Sequence, residues 1–220
     1  MKTRIWDIPL RLFHWTLVGV VAFSLYTGFV GGFQEMDWHM QSGYVVLALM
    51  VFRILWGIVG TRHSRFLSFI PGPRAVLDYL RNFGTSGGTW AGHNPLGALS
   101  VVVLLLLLTF QGVSGLFTND DIMLEGPLAN LVSYETSRTL TSLHKNNAWV
   151  IAGFIGLHVV AILFYTIIKK APLIIAMLTG RMPGLKAEDE VAFSPVHELV
   201  VGVLVMGVAG GAVYAAINYL

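Results

Sequence analysis

The sequence predicts an all-α, polytopic membrane helical bundle, and three observations carry that prediction. The 220 residues are 55% hydrophobic and only 12% charged, about half the charged share of a soluble domain. Mean hydropathy is +0.70. Five apolar stretches stand between polar connections, each close to the roughly 20 residues a helix needs to cross a hydrocarbon core about 30 Å thick.

Composition narrows the chemistry. Cysteine is absent, which excludes disulfides, iron–sulfur ligation, thiolate nucleophiles and covalent haem attachment through Cys-x-x-Cys-His. The net charge of +2 comes from Lys and Arg flanking the apolar stretches. No basic, aromatic-interleaved surface suits nucleic acid.

Met1 to Asp7 is a short basic lead, and the first span follows from about Leu10 to Val30 with Trp6 and Trp15 as interfacial anchors. A basic start before an apolar run also describes a signal peptide. This run is long, carries His14 and lacks an Ala-x-Ala cleavage site, so a retained span is expected. Glu35 to Trp38 read as an acidic turn, and the second span runs from about His39 to Val59 with Arg53 inside it.

Residues 60–95 form a long basic connection containing Arg62, His63, Arg65, Arg74, Arg81 and His93. Pro73 to Phe83 within it reads as a short amphipathic surface helix. The third span is Leu96 to Phe117, and residues 118–143 form an acidic connection with Asp120, Asp121, Glu125 and Glu135 against Arg138. The fourth span covers Ala148 to Ile168 and ends before Lys169-Lys170-Ala171-Pro172. The fifth is about Val196 to Tyr219, where a Gly207-x-x-x-Gly211 pattern permits close helix contact and admits a homo-oligomer.

Lys and Arg collect at the N-terminus, in residues 60–95 and after the fourth span. By the positive-inside rule those segments and the N-terminus are cytoplasmic, and the acidic connection lies outside. The expected location is a bacterial inner (cytoplasmic) membrane, crossed several times.

Four histidines then sort by depth. His144 and His158 lie fourteen residues apart, which brings both to nearly one helix face about 21 Å apart along the axis. His39 opens the second span at the outer face, level with His144, while His14 lies about one turn inside the cytoplasmic end, level with His158. A lone membrane histidine commonly just hydrogen-bonds a neighbouring helix. Four that agree at two depths suggest two b-type haems, each held by two histidines: His39 with His144, and His14 with His158. Structural zinc wants four ligands at one point, which this arrangement does not offer.

Other residues suit the same scheme. Gly28 and Gly43 keep side chains clear where a flat cofactor passes between helices. Arg53, fourteen residues after His39, falls near the depth of His158. An arginine there either snorkels to the surface or pairs with an anion such as a haem propionate, and Arg11 is a weaker companion. His63 and His93 are expected to face solvent, and His197 to be interfacial.

The residues Arg11-Leu-Phe-His14-Trp15, His39-x-x-x-Gly43-Tyr44, Arg53-x-x-Trp56-Gly57, Leu143-His144 and Leu157-His158 resemble the bacterial cytochrome b561 family. That family includes the b-type cytochrome subunits of nickel–iron hydrogenases. The resemblance spans roughly residues 4 to 180. It implies a four-helix di-haem core over residues 1–180, with residues 181–220 adding a connection and the fifth span. It also implies two bis-histidine haem b groups and electron exchange between quinone and a redox partner. The expected partners are lipid, quinone, and a periplasmic c-type cytochrome or a hydrogenase-like oxidoreductase subunit. A stand-alone superoxide oxidase or ferric reductase is the alternative, as is a transporter or scaffold without redox chemistry. Whether the chain is an enzyme by itself is left open.

Overall fold

The computed structural model describes residues 2–82, 92–122, 124–191 and 193–219. Five helices are long and apolar enough to cross a membrane: α1 (Ile8–Val30), α2 (Phe33–Val59), α5 (Pro95–Gly115), α6 (Tyr134–Ile167) and α8 (Pro195–Tyr219). The shorter elements are β1 (Lys2–Arg4), α3 (Phe66–Phe69), α4 (Pro73–Arg81), α7 (Leu173–Thr179) and β2 (Arg181–Pro183). The protein is an all-α polytopic membrane protein. The expected surface helix forms at α4; its anticipated end, Phe83, lies outside the described residues.

Two helices begin earlier than hydropathy suggests. The α1–α2 turn needs only Gly31 and Gly32, whose φ values of 65° and 112° favour glycine. Helix α2 can therefore start at Phe33 and place Glu35 in its first turn, where a carboxylate suits the positive end of the helix dipole. His39 consequently sits a turn and a half inside the helix. Similarly α6 starts at Tyr134, because Ser133 Oγ accepts the Thr136 backbone N–H at 3.2 Å and caps it. The Ser- and Thr-rich residues before His144 are helix, and Thr139 and Thr141 hydroxyls donate to carbonyls one turn back.

The chain divides into two compact units. The first comprises residues 1–12, 54–103 and 156–203. Strands β1 and β2 pair antiparallel here, with Thr3 opposite Met182. The Asp7 carboxylate is fully buried and accepts from the Leu10 N–H at 2.7 Å, Thr61 Oγ1 at 2.6 Å, Trp56 Nε1 at 3.1 Å and Ser64 Oγ. A buried charge is tolerable only when so satisfied. Nearby, Arg4 pairs at 3.0 Å with Glu198, itself fully buried at the start of α8.

The second unit comprises residues 13–53, 104–155 and 204–220. Leu47, Leu116 and Leu128 form a buried cluster, and Val213 and Ile217 of the last helix pack against it. The small residue Gly112 lets Leu47 approach, since a Cβ there would stand 2.7 Å from the leucine side chain. Segments of α2, α5 and α8 thus share one interior, and the histidine site is built in the same unit.

Candidate functional site

His39 on α2 and His144 on α6 face each other in the second unit. Their ring centroids are 6.0 Å apart and their planes stand at 88°. Each ring is oriented by its Nδ1. His39 Nδ1 donates to the Ser24 carbonyl at 2.8 Å, and His144 Nδ1 donates to the Gln111 carbonyl at 3.0 Å, with Ser114 Oγ 3.2 Å away. This arrangement fixes both rings in the Nδ1–H tautomer and leaves Nε2 unprotonated, the second-shell pattern that prepares histidine for a metal.

Two glycines make the approach possible. A Cβ at Gly28 would lie 2.8 Å from His39 Cε1, and one at Gly115 would lie 2.9 Å from His144 Cε1. Real Cβ atoms do not come so close without displacing their neighbour. Gly43, by contrast, has nothing within 4 Å of where its Cβ would stand, and it opens onto a cavity of about 380 Å³ that both histidines line. That volume lies within the range of small-molecule and cofactor sites. The cavity walls are otherwise largely apolar and aromatic, including Tyr44 and Trp149.

The comparisons with known proteins bear on what occupies such a cavity. Residues 5–180 match the model of the prokaryotic cytochrome b561 family. The chain belongs to that family. It is 23% identical over 207 residues to a probable Ni/Fe-hydrogenase B-type cytochrome subunit of Azotobacter chroococcum mcd 1, covering 80% of this chain and 86% of the relative. It is likewise 23% identical to the probable Ni/Fe-hydrogenase 1 B-type cytochrome subunit of Escherichia coli (strain K12), covering 80% and 88%. The corresponding subunit of Cupriavidus necator is 24% identical, covering 81% and 86%. No solved structure matches the chain. The protein is a b-type cytochrome: it carries haem b and serves electron transfer in a membrane.

The residues present fit haem as this cytochrome's cofactor. Two imidazoles on opposite sides of one metal, with bonds of about 2.0–2.1 Å and a further ~1.1 Å to each ring centre, stand about 6.3 Å apart. The observed 6.0 Å agrees. His39 and His144 could hold a metal together only where a cofactor supplied the remaining donors. Haem does so through its four pyrrole nitrogens. One adjustment is needed, because Gln111 Nε2 stands 3.1 Å from His144 Nε2 and a metal there would take over that lone pair. Gln111 Oε1 also accepts from Asn147 Nδ2 at 2.8 Å.

The other sequence-predicted residues are distributed as follows. His14 lies on α1 in the second unit with Trp15 edge-on at 5.0 Å, and His158 lies on α6 in the first unit. Arg53 is 2% exposed, so its guanidinium lies inside the protein. Arg11 instead donates to the Met177 carbonyl at 3.2 Å and to that of Leu178, capping the C-terminal carbonyls of α7 as a basic side chain can.

Two histidines differ from expectation. His63, anticipated in solvent, is buried, with Nε2 2.7 Å from the Asp189 carbonyl oxygen. His93 is wedged between Trp6 and Phe69, with ring centroids 4.8 and 5.0 Å away. Both line a first-unit cavity of about 490 Å³ with Asp78 and Tyr79. There the Tyr79 phenol meets Tyr165 Oη at 2.7 Å, and burial, then that hydrogen bond, raise its pKa above the ordinary tyrosine range. His197 is exposed and packs on Phe193.

Sequence reasoning missed Ser24, Gln111, Ser114 and Asn147, the residues that orient the site. Gln111 did carry a signal: it is an isolated amide after Leu104 to Leu108 in an otherwise apolar helix, and polar groups within a membrane span seldom lack a partner.

Proposed function

We propose that this cytochrome carries electrons across the bacterial inner membrane through two b haems. His39 and His144 hold one haem, and His14 and His158 hold the other. The observation that carries the proposal is the His39–His144 pair, with ring centroids 6.0 Å apart and each Nδ1 held by a backbone carbonyl. The haem-bearing core is assigned to residues 1–180, with residues 181–220 as an additional helix and its connection.

The haem iron supplies a reversible one-electron change. Everything else falls to the protein. Ser24 and Gln111 carbonyls hold the imidazoles in the Nδ1–H tautomer and leave each Nε2 lone pair to serve as a ligand. Gly28, Gly43 and Gly115 leave room for the imidazoles and for a flat ring system beside them. The largely apolar walls favour a bound macrocycle. Arg53, buried on α2, offers a charged fork to a propionate of the His14–His158 haem.

Lys and Arg placement puts the N-terminus in the cytoplasm and the acidic residues 118–143 outside. Electrons pass between quinone and a redox partner at the outer face. That partner is an oxidoreductase subunit of the hydrogenase kind named for the relatives, or a basic c-type cytochrome drawn to the acidic residues.

A spectrum of the purified protein, reduced with dithionite and compared with its oxidised form, tests the reading. Two haems b per chain are expected. His39→Ala and His144→Ala should abolish one potentiometric component, and His14→Ala and His158→Ala the other. Absence of b-haem bands would overturn the proposal, and loss of one component from both His14 and His39 variants would overturn the pairing.

A further inference from the structure

Part of the His39–His144 cavity is lined by a small acidic hairpin. Asn119 and Glu125 form an isolated antiparallel bridge, and the Gly126 N–H donates to the Thr118 carbonyl at 2.7 Å. Thr141 on α6 ties the hairpin down: its Oγ1 accepts the Asn119 N–H at 3.0 Å while donating to the Ser137 carbonyl at 2.8 Å. Asp120 and Glu125 both line the cavity.

Both carboxylates are engaged locally. Asp120 Oδ1 accepts the Ile122 and Leu124 N–H groups at 2.9 and 2.8 Å, and Glu125 Oε1 accepts from Asn119 Nδ2 at 2.7 Å. Only one lysine or arginine lines the cavity among the described residues, Lys145, adjacent to His144 and one turn beyond Thr141. The Arg138 guanidinium is turned to Asp121 instead, at 3.7 Å and largely exposed.

A haem brings two propionates. A propionate reaching the hairpin would meet the half-buried Asp120 and the exposed Glu125, and like charges repel unless a cation intervenes. We infer that Lys145 is the propionate-binding cation of the His39–His144 haem, a positioning residue that also sets its potential. The flexible four-carbon stem lets the ammonium reach a propionate while the hairpin carboxylates keep their backbone and amide donors. The inference rests on the bis-histidine reading of this cavity.

A cation near haem favours the reduced form, which carries one positive charge fewer. Removing it lowers the potential. One charge about 10 Å from the iron at an effective dielectric of about 20 amounts to roughly a tenfold change in the reduction equilibrium, or 59 mV for one electron. The experiment is a redox titration of the full-length haem-loaded protein in Lys145→Met, Lys145→Arg and Arg138→Met.

The component abolished by His144→Ala should drop by about a decade in Lys145→Met, return in Lys145→Arg and stay put in Arg138→Met. Loss of that haem in Lys145→Met with its retention in Lys145→Arg supports the same assignment. An unshifted potential in Lys145→Met overturns the inference while leaving the bis-histidine haem intact. An equal shift in Arg138→Met also overturns it, since surface charge in general would then suffice. If no component depends on His144, the haem reading fails and this inference falls with it.

Discussion

Substitution of Gly28 by alanine probes the site without touching a ligand. The added Cβ would sit 2.8 Å from His39 Cε1 and 2.9 Å from Nδ1, where ordinary carbon contacts lie at about 3.5–4.0 Å. The imidazole must retreat by at least about 0.7 Å, and it is tethered at 2.8 Å to the Ser24 carbonyl. Overpacking of this kind costs about 1–3 kcal/mol, and the weakened hydrogen bond costs about 1 kcal/mol more. Alanine recovers up to about 1 kcal/mol of helix propensity. The net is about 1–3 kcal/mol, or roughly 5- to 150-fold in affinity for the haem held by His39, similar to the 10–100-fold typical of second-shell changes at metal sites. Haem content measured by pyridine haemochrome, with potentiometry to identify the component, should show partial loss confined to the His144-dependent haem. Gly115→Ala, whose Cβ meets His144 Cε1 at 2.9 Å, should deplete the same component. Gly43→Ala discriminates further, because its methyl meets no protein atom within 4 Å and harms the site only if a cofactor fills the cavity. Full haem occupancy at unchanged potential in Gly28→Ala and Gly115→Ala would refute this account of the site.

Arg53, at 2% exposure, should act on the other haem. Arg53→Leu is expected to lower the potential of the component lost in His158→Ala by tens of millivolts, with Arg53→Lys intermediate because it keeps the charge but not the fork; an unmoved potential with haem retained would show that the guanidinium serves packing alone. Asp7→Ala removes an acceptor from Trp56, Thr61 and Ser64 and from the Leu10 N–H. Leaving such buried donors unsatisfied should cost about 2–4 kcal/mol, read as a fall of several degrees in the thermal midpoint of detergent-solubilised protein by circular dichroism. An unaltered midpoint would mean that water replaces the carboxylate without penalty.

Much of the architecture was legible in the residues because transfer into lipid is nearly a sum over side chains. Apolar runs of sufficient length had to become spans, and the five helices fall where hydropathy places them. A helix converts sequence separation into distance at a constant rise, and the rings of His39 and His144, expected at one level, stand 6.0 Å apart. Boundaries were less legible. They depended on a two-glycine turn and on the Ser133 cap, local hydrogen-bond geometry that hydropathy averages away, so α2 begins at Phe33 and α6 at Tyr134.

Partners were settled by the tertiary structure alone. Whether an arginine turns to a cofactor or to the end of a neighbouring helix depends on which acceptors the fold brings within a few ångströms, and Arg11 meets the carbonyls of α7. His63 looked like a loop residue in a basic connection, yet the Asp189 carbonyl and the packing around it take it out of water. The role of Gly28 also emerged only in three dimensions. The sequence suggested only that it clears space for a flat cofactor, whereas its need to be glycine comes from the His39 imidazole lying against it, a short-range repulsion between residues on different helices.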